Sequence, residues 1–195
     1  MNYYIYPLRF LTPVHFGDTS EGGNLETISL TLGSDALFGA CCHEISHDTE
    51  LLHSFIKAVE EQQIVLSSLF PYCIDNDEYK LYVPAPMIQM ESRNVPATSF
   101  DDVKTAIAAH KKIKRIEYIR ASELQQFKEY VESDASQKHM PTFGAKQTSA
   151  QVNMRGEKSL PYYVGNYQFM PHAGLYIIAG FHDEAHRALF EGILE

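Results

Sequence analysis

The sequence predicts an α+β fold made of two tandem ferredoxin-like units, of which the second is incomplete. The first observation is the order strand, helix, strand, strand within residues 3–83, which is the front of a split β-α-β-β-α-β unit. The second is a return to β-rich sequence from residue 152, where two strands and one helix make half of another unit. We therefore expect a first unit at residues 1–90, a crossing segment at 91–150 and a partial second unit at 151–195.

The first predicted strand, Tyr3–Leu11, is rich in aromatic and branched residues. Pro7 lacks a backbone N–H, so we expect this strand at a sheet edge or at a bulge. A long loop follows over Thr12–Leu32, and its glycine and polar residues suit contact with something outside its own core.

Two helices and two strands complete the first unit. They are expected at Asp35–His47, Glu50–Glu61, Ile64–Tyr72 and Tyr79–Val83. Ser34 or Asp35 is predicted to cap the first helix, and Asp48 to end it and cap the second. Aspartate and asparagine between the two strands favour a turn.

The later elements are less regular. Short helices are expected at Asp101–His110 and Leu124–Glu132, a mobile loop at Glu132–Gln151, and strands at Leu160–Met170 and Leu175–Phe181. The loop is predicted because its Ser, Gln, Ala and Lys residues have little to bury. Asp183 is predicted to cap a final helix whose apolar stripe includes Ala185, Ala188, Leu189, Gly192 and Ile193.

Composition limits the classes of function. The net charge of −9 argues against a surface that is basic throughout, so a nucleic-acid site must be a local patch. Three cysteines, an odd count, do not suggest a disulfide framework and are interpreted as small buried hydrophobic residues. No signal peptide is expected, because the first residues lack a basic segment followed by a long apolar run, and the longest apolar stretch, Ala173–Phe181, is too short to span a bilayer. A cytoplasmic protein without a membrane partner is expected.

One basic run stands out against this acidic background. Six of the sixteen basic residues fall within seventeen positions, opposed there by Glu117 alone: Lys104, Lys111, Lys112, Lys114, Arg115 and Arg120. The run is either a site for a polyanion or a solvated charged face, and the residues alone favour neither interpretation.

A second motif, His43-Glu44-Ile45-Ser46-His47, matches H-E-x-x-H. On a helix this spacing places two imidazoles one turn apart to share a zinc ion, with the glutamate as general base. Glu50 stands where the longer form of the motif needs a glycine, and Asp48 begins a new helix. We therefore predict no metal site and keep a zinc-dependent hydrolase as an alternative.

A set of short motifs occurs in a recognisable order. These are His15-Phe16-Gly17, Gly22-Gly23, Ser34–Phe38, Leu66–Tyr72, Val83–Pro86 and Lys111–Lys114. The set resembles the fourth-subunit family of the type III-A CRISPR Csm complex, within the RAMP superfamily. This resemblance implies an RRM-like fold and a non-catalytic subunit, without a cofactor, that holds the 5′ repeat-derived tag of CRISPR RNA. The implied protein partners are the large polymerase-like Csm subunit and the adjacent backbone RAMP subunit. Family members continue past the final helix into a glycine-rich loop and a last strand, so part of the RNA surface is expected to be missing.

The resemblance and the residue chemistry together give a set of candidate RNA contacts. They are His15, Phe16, Gly17, Lys111, Lys112, Lys114 and Arg155. His15 could contact a phosphate or a base, or bond a loop carbonyl, and Arg155 could grip a phosphate or pair with a carboxylate. A further alternative is a RAMP endoribonuclease that uses His15 as general acid or base. Tyr162, Tyr163, Tyr167, Phe169 and Tyr176 could stack on bases, although most are expected in the core or in a half-buried sheet.

Overall fold

The computed structural model describes residues 1–17, 24–86, 104, 116–125, 141–155 and 158–194, with the backbone alone at 154, 155 and 158. The helix predicted at 101–110 and most of the one predicted at 124–132 lie outside these residues. The elements are β1 (Asn2–Leu8), α1 (Ser34–Glu44), α2 (Thr49–Glu60), β2 (Ile64–Leu66), β3 (Phe70–Asp75), β4 (Glu78–Pro84), β5 (Tyr118–Arg120), β6 (Gly144–Arg155), β7 (Lys158–Phe169), β8 (Ala173–Phe181) and α3 (Glu184–Leu194). A 3₁₀ turn spans Ala121–Glu123.

The chain divides into two compact units, and the first contains both ends of the chain. Unit one comprises Met1–Tyr72 with Phe143–Glu195, and unit two comprises Cys73–Thr142. This division differs from the boundaries expected at residues 90 and 150, because β1 and β8 pair with each other in one sheet. Within unit one, the order β1, α1–α2, β2–β3, β8, α3 follows the ferredoxin-like β-α-β-β-α sequence of elements.

Strand β8 is the centre of the sheet in unit one. It pairs antiparallel with β1 over seven residues, and β2 and β3 are its other neighbours. Its successive residues Tyr176 and Ile177 are 1% and 0% exposed, so both faces of the strand are covered there. As Pro7 predicted, β1 lies at the end of the strand order.

The strand predicted at Ile64–Tyr72 is interrupted in its middle, which corrects the sequence interpretation. Ser67 N–H donates to the carbonyl of Ile178, and the N–H of Ile178 donates to Ser67 Oγ, each at 2.9 Å. The serine hydroxyl therefore replaces a backbone carbonyl at the break between β2 and β3 and keeps β8 satisfied.

Aromatic contacts join the three helices to one another or to strands of this sheet. Phe190 of α3 is fully buried, and its ring lies 5.7 Å from Tyr6 and 5.6 Å from Phe181. Phe38 of α1 stacks on Phe55 of α2 at 5.5 Å. The stripe predicted for α3 is wrong in part, because Ala185 and Ala188 are exposed and Phe190 with Ile193 forms the buried face. The longest described helix has 12 residues, and none of those described could cross a membrane.

The N-terminal caps predicted from the sequence are found in two of the three helices. Asp48 accepts a hydrogen bond from Leu51 N–H at 3.0 Å, and Asp183 accepts one from His186 N–H at 3.1 Å, as predicted. The cap of α1 is instead Gly33, in an extended conformation with φ −67° and ψ 155°, and no side chain caps the helix. Ser34 and Asp35 fall inside the first turn, which places both side chains one residue or more beyond the capping position.

The largest correction concerns Glu132–Gln151, the segment predicted as a mobile loop. Its described part from Gly144 onward belongs to β6, which pairs with β7 over twelve residue pairs in a separate two-stranded sheet. Most described side chains of β6 are exposed, so no apolar alternation marks the strand in the sequence. We call β6 and β7 together the long hairpin.

Unit two contains the end of β3, followed by β4 and β5. The turn between β3 and β4 is confirmed, with Asn76 and Asp77 at φ 52° and 62°, the pattern of a tight two-residue hairpin. Cys73 and Tyr82 are buried, and Arg120 Nε donates to the hydroxyl of Tyr82 at 3.3 Å.

Candidate nucleic-acid interface

The residues His15, Phe16 and Gly17 form a turn held against the base of the long hairpin; we call it the 15–17 turn. Just before it, Val14 exchanges two backbone hydrogen bonds with Tyr167 of β7, at 3.0 and 2.7 Å. Just after it, Gly17 forms a bridge with Ile28, and the carbonyl of Phe16 accepts from Ser29 N–H at 2.8 Å. The turn is therefore fixed at both ends by backbone pairing.

The exposed imidazole of His15 bonds the hairpin through one nitrogen. Nδ1 lies 2.6 Å from the carbonyl oxygen of Gly165 in β7. Because a carbonyl only accepts, Nδ1 carries the proton and donates, and Nε2 is the unprotonated nitrogen of the neutral ring. His15 therefore bonds a backbone carbonyl, as one of the two sequence interpretations predicts, although the carbonyl belongs to β7. Within the described part of the chain, no hydrogen bond is found at Nε2.

Phe16 belongs to an aromatic cluster at the hairpin base. Its half-buried ring meets Phe10 edge to face at 5.9 Å, and Phe10 stacks on Phe169 at 4.8 Å. Tyr167 adds an edge contact to Phe169 at 4.9 Å, and burial raises the pKa of Tyr167. The cluster anchors the turn.

Gly165 allows the first loop to reach the backbone of β7. Its N–H donates to Leu25 at 2.8 Å, and a Cβ at this position would lie 2.3 Å from the carbonyl oxygen of Glu26. Only glycine permits this approach. A glycine inside a strand pattern is the sequence signal that could have predicted the contact.

Lys146 of β6 is a charged residue at the interface that sequence reasoning missed. Its Nζ donates to the carbonyl of Ile28 at 3.3 Å, beside the 15–17 turn. The available signal is that Lys146 is the only charged residue between Gly144 and Asn153.

The other predicted contacts are brought together only in part. Lys111, Lys112 and Lys114 lie outside the described residues. The backbone of Arg155 ends β6 and pairs with Lys158. Of the five aromatic residues considered for stacking, Tyr167, Phe169 and Tyr176 are core residues, whereas Tyr162 and Tyr163 are 37% and 53% exposed.

The H-E-x-x-H motif does not have the helical geometry that a zinc site requires. Helix α1 ends at Glu44, so His43 lies in its last turn and His47 lies beyond it. His47 Nδ1 is 3.1 Å from the carbonyl oxygen of Glu44 and donates to it. In the described ranges no group of three or more His, Cys, Asp or Glu side chains could hold a metal ion.

Comparison with known proteins identifies the class of fold. Neither a protein-family model nor a curated protein matches the chain. Solved structures do match over nearly its whole length, and they share the fold of this chain, a mixed α/β architecture with antiparallel sheets, as the sequence predicts.

The particular structures all contain Csm4. A Csm1-Csm4 cassette in complex with cA4 is 18% identical with a TM-score of 0.56, covering 98% of this chain and 62% of that one. The cassette in complex with AMPPNP is 19% identical with a TM-score of 0.54, covering 97% and 61%. The Csm3-Csm4 subcomplex in the type III-A CRISPR-Cas interference complex is 15% identical with a TM-score of 0.51, covering 97% and 62%. The chain is thus Csm4-like in fold and spans about three fifths of the length of the chains it matches.

Proposed function

We propose that this chain is a subunit of a type III-A CRISPR effector complex that binds CRISPR RNA without cleaving it. The observation that carries this proposal is the fold likeness, which covers 97–98% of the chain and leads to structures that all contain Csm4. In detail, the chain would hold the 5′ repeat-derived tag of the RNA. It would dock the large polymerase-like subunit and the adjacent backbone RAMP subunit, since the matched structures pair Csm4 with Csm1 or with Csm3.

The long hairpin supports the nucleic-acid part of the proposal by its charge. Residues 144–169 contain three basic residues, Lys146, Arg155 and Lys158, against the single acidic residue Glu157. The chain as a whole carries −9, so this hairpin is a local region that a polyanion would favour. The exposed rings of Tyr162 and Tyr163 supply faces on which unpaired bases could stack.

The proposed mechanism needs binding and no bond cleavage. The 15–17 turn, Lys111, Lys112, Lys114 and Arg155 would contact phosphates and bases of the RNA. Backbone pairing of the turn with β7 and with residue 28 gives it a fixed shape before the RNA arrives. A fixed turn loses less conformational entropy on binding than a flexible one.

A RAMP endoribonuclease remains the second candidate, because one observation favours it. His15 is exposed, and its Nδ1–H bond to the carbonyl of Gly165 orients the ring with Nε2 as proton acceptor. An imidazole oriented in this way is suited to general base catalysis.

One experiment separates the two candidates. The purified chain is incubated with labelled repeat RNA at several salt concentrations, and both mobility and RNA length are measured. We expect a salt-sensitive shift with intact RNA, because phosphate contacts release counterions. Cleavage that disappears in His15→Ala would contradict the proposal and establish the nuclease. The control variant Lys57→Ala removes an exposed cation from α2, far along the chain from the turn, and should leave the shift unchanged.

A further inference from the structure

Two sets of contacts, one through the backbone and one through the side chain, hold Lys146 beside the 15–17 turn. Along the backbone, Lys146 pairs with Tyr167, and Tyr167 pairs on its other side with Val14. Through its side chain, Nζ donates to the carbonyl of Ile28, the residue that forms the bridge with Gly17. The cation and the turn are therefore neighbours across one short stretch of backbone pairing.

His15 borders the same position from within the turn. A Cβ built on Gly17 would lie 3.6 Å from His15 Nε2, so the free nitrogen of the ring lies next to this glycine. Gly17 itself is exposed and has no side chain. The result is an open piece of backbone that a ligand can approach closely, with an imidazole nitrogen beside it and an ammonium nearby.

The charge of Lys146 is available to a ligand. An ammonium has three N–H donors, and Ile28 accepts one of them. Among the ion pairs of the described residues, none includes Lys146, although the chain has an excess of carboxylates. Glu26, the carboxylate on the adjoining segment, is exposed, and its backbone N–H bonds Asn24.

We propose that Lys146, His15 and Gly17 form one phosphodiester-binding site at the base of the long hairpin. The proposal rests on the proposed RNA-binding function and adds to it a cation that the family resemblance does not indicate. Lys146 supplies the positive charge and two N–H donors. Gly17, which has no side chain, lets the phosphate approach the backbone closely, and the imidazole of His15 borders the site on one side.

The test measures binding of fluorescein-labelled oligo-uridine across a series of salt concentrations, for the wild-type chain and four variants. Lys146→Gln should weaken binding by up to about fivefold at physiological salt, as expected for one exposed charge pair. It should also reduce the slope of log K against log salt by about 0.7, the value for one phosphate contact on a single strand. Lys146→Arg should keep the wild-type slope, and Lys57→Gln, an exposed lysine on α2, should change neither quantity.

Gly17→Ala tests the open approach without removing a charge. Its methyl group would make an ordinary contact with His15, so the fold should tolerate it and the thermal midpoint should stay unchanged. We expect weaker binding with the wild-type salt slope. Oligo-deoxythymidine of the same length should show the same proportional losses, because a phosphodiester is common to both strands.

The outcomes separate this site from the proposed function. A wild-type chain that binds no RNA would overturn the proposed function itself. If the wild type binds but Lys146→Gln keeps its salt slope, or Lys57→Gln loses as much as Lys146→Gln, the site is overturned and RNA binding stands. A loss confined to oligo-uridine would move the contact to the ribose and also overturn the phosphate assignment.

Discussion

At the scale of single residues, the structure shows one of the two roles that the sequence offers for His15. Its Nδ1 donates to the carbonyl of Gly165, whereas the binding role, in which Nε2 beside exposed Gly17 would contact the ligand, stays a prediction. The sequence could not decide between the roles because the bonding partner lies 150 residues further along the chain. The prediction that the cysteines are buried is confirmed for Cys41 and Cys73, whereas Cys42 is only half-buried, and all three are free.

Asp183 gives a prediction about acid stability. Its carboxylate accepts from the backbone N–H of His186 and from the His186 ring, which lowers its pKa from 3.8 to about 2. A carboxyl group whose pKa is lower in the folded than in the unfolded protein contributes its full stabilisation of the fold above the unfolded-state pKa. This contribution is lost as the pH falls through the folded-state pKa. Stability from Asp183 should therefore decline between about pH 4 and pH 2.

The measurement is urea unfolding of the wild type and of Asp183→Asn at pH 7, 4, 3 and 2. Asparagine keeps a helix cap but does not titrate, so the difference in unfolding free energy between the two proteins should shrink as the pH falls from 4 to 2. Other carboxylates contribute equally to both proteins. A constant difference across this range would contradict the role given to Asp183.

At the scale of elements, two helix caps, the turn between β3 and β4 and strand β7 were predictable, whereas strand β6 of the long hairpin was not. Asp48, Asp183 and the Asn76-Asp77 turn act through bonds within a few residues, so local sequence reports them. Most described side chains of β6 are exposed to solvent, and a solvated strand shows no apolar period, although β6 forms twelve residue pairs with β7. Similarly, the capping error at α1 is a shift of one residue, within the usual uncertainty of helix ends.

A pair of glycine substitutions tests how the long hairpin is attached. Gly165→Ala places a Cβ 2.3 Å from the carbonyl oxygen of Glu26 and should lower the unfolding free energy by about 1–3 kcal/mol. Gly192→Ala in α3 is the matched control, since its Cβ would have no neighbour within 4 Å. Alanine is also the better helix former, so stability should stay the same or rise by up to about 1 kcal/mol.

Urea unfolding of both variants measures the effect. Equal stability of the two variants would show that the close approach of the first loop to β7 is not needed. A loss in Gly165→Ala should be accompanied by weaker RNA binding, because the 15–17 turn is bonded to the same residue.

At the scale of the whole molecule, the α+β class and the Csm4-like fold were predictable, whereas the two compact units differ from the predicted boundaries. The sequence predicts most of the order of elements that the structure shows, and the run of short motifs indicates the same Csm4-like fold that the solved structures match. The pairing of β1 with β8 joins segments at opposite ends of the chain, and no local pattern encodes such a partner. A division of the chain into consecutive stretches therefore places β1 and β8 in different units, although the two strands pair in one sheet.

This pairing predicts that residues 1–90 do not fold alone. The fragment lacks β8, whose residues Leu175, Ile177 and Ala179 are all 0% exposed in the full chain. Without them, Tyr4, Tyr6 and Ile64 have no central strand to pack beside. The fragment should show no cooperative thermal transition by circular dichroism, whereas the full chain should show one. A cooperative transition in the fragment would support the boundary at residue 90.

The same strand pairing governs the order of events during synthesis. β1 leaves the ribosome before the other described strands, and β8, with which it pairs, follows only after α1, α2 and strands β2 to β7. The nascent chain thus carries an unpaired, tyrosine-rich strand until β8 has emerged, and long-range closure of this kind is intrinsically slow. Translation pauses or chaperone holding before β8 has emerged should therefore affect the yield of native protein more than similar events after β8 has emerged.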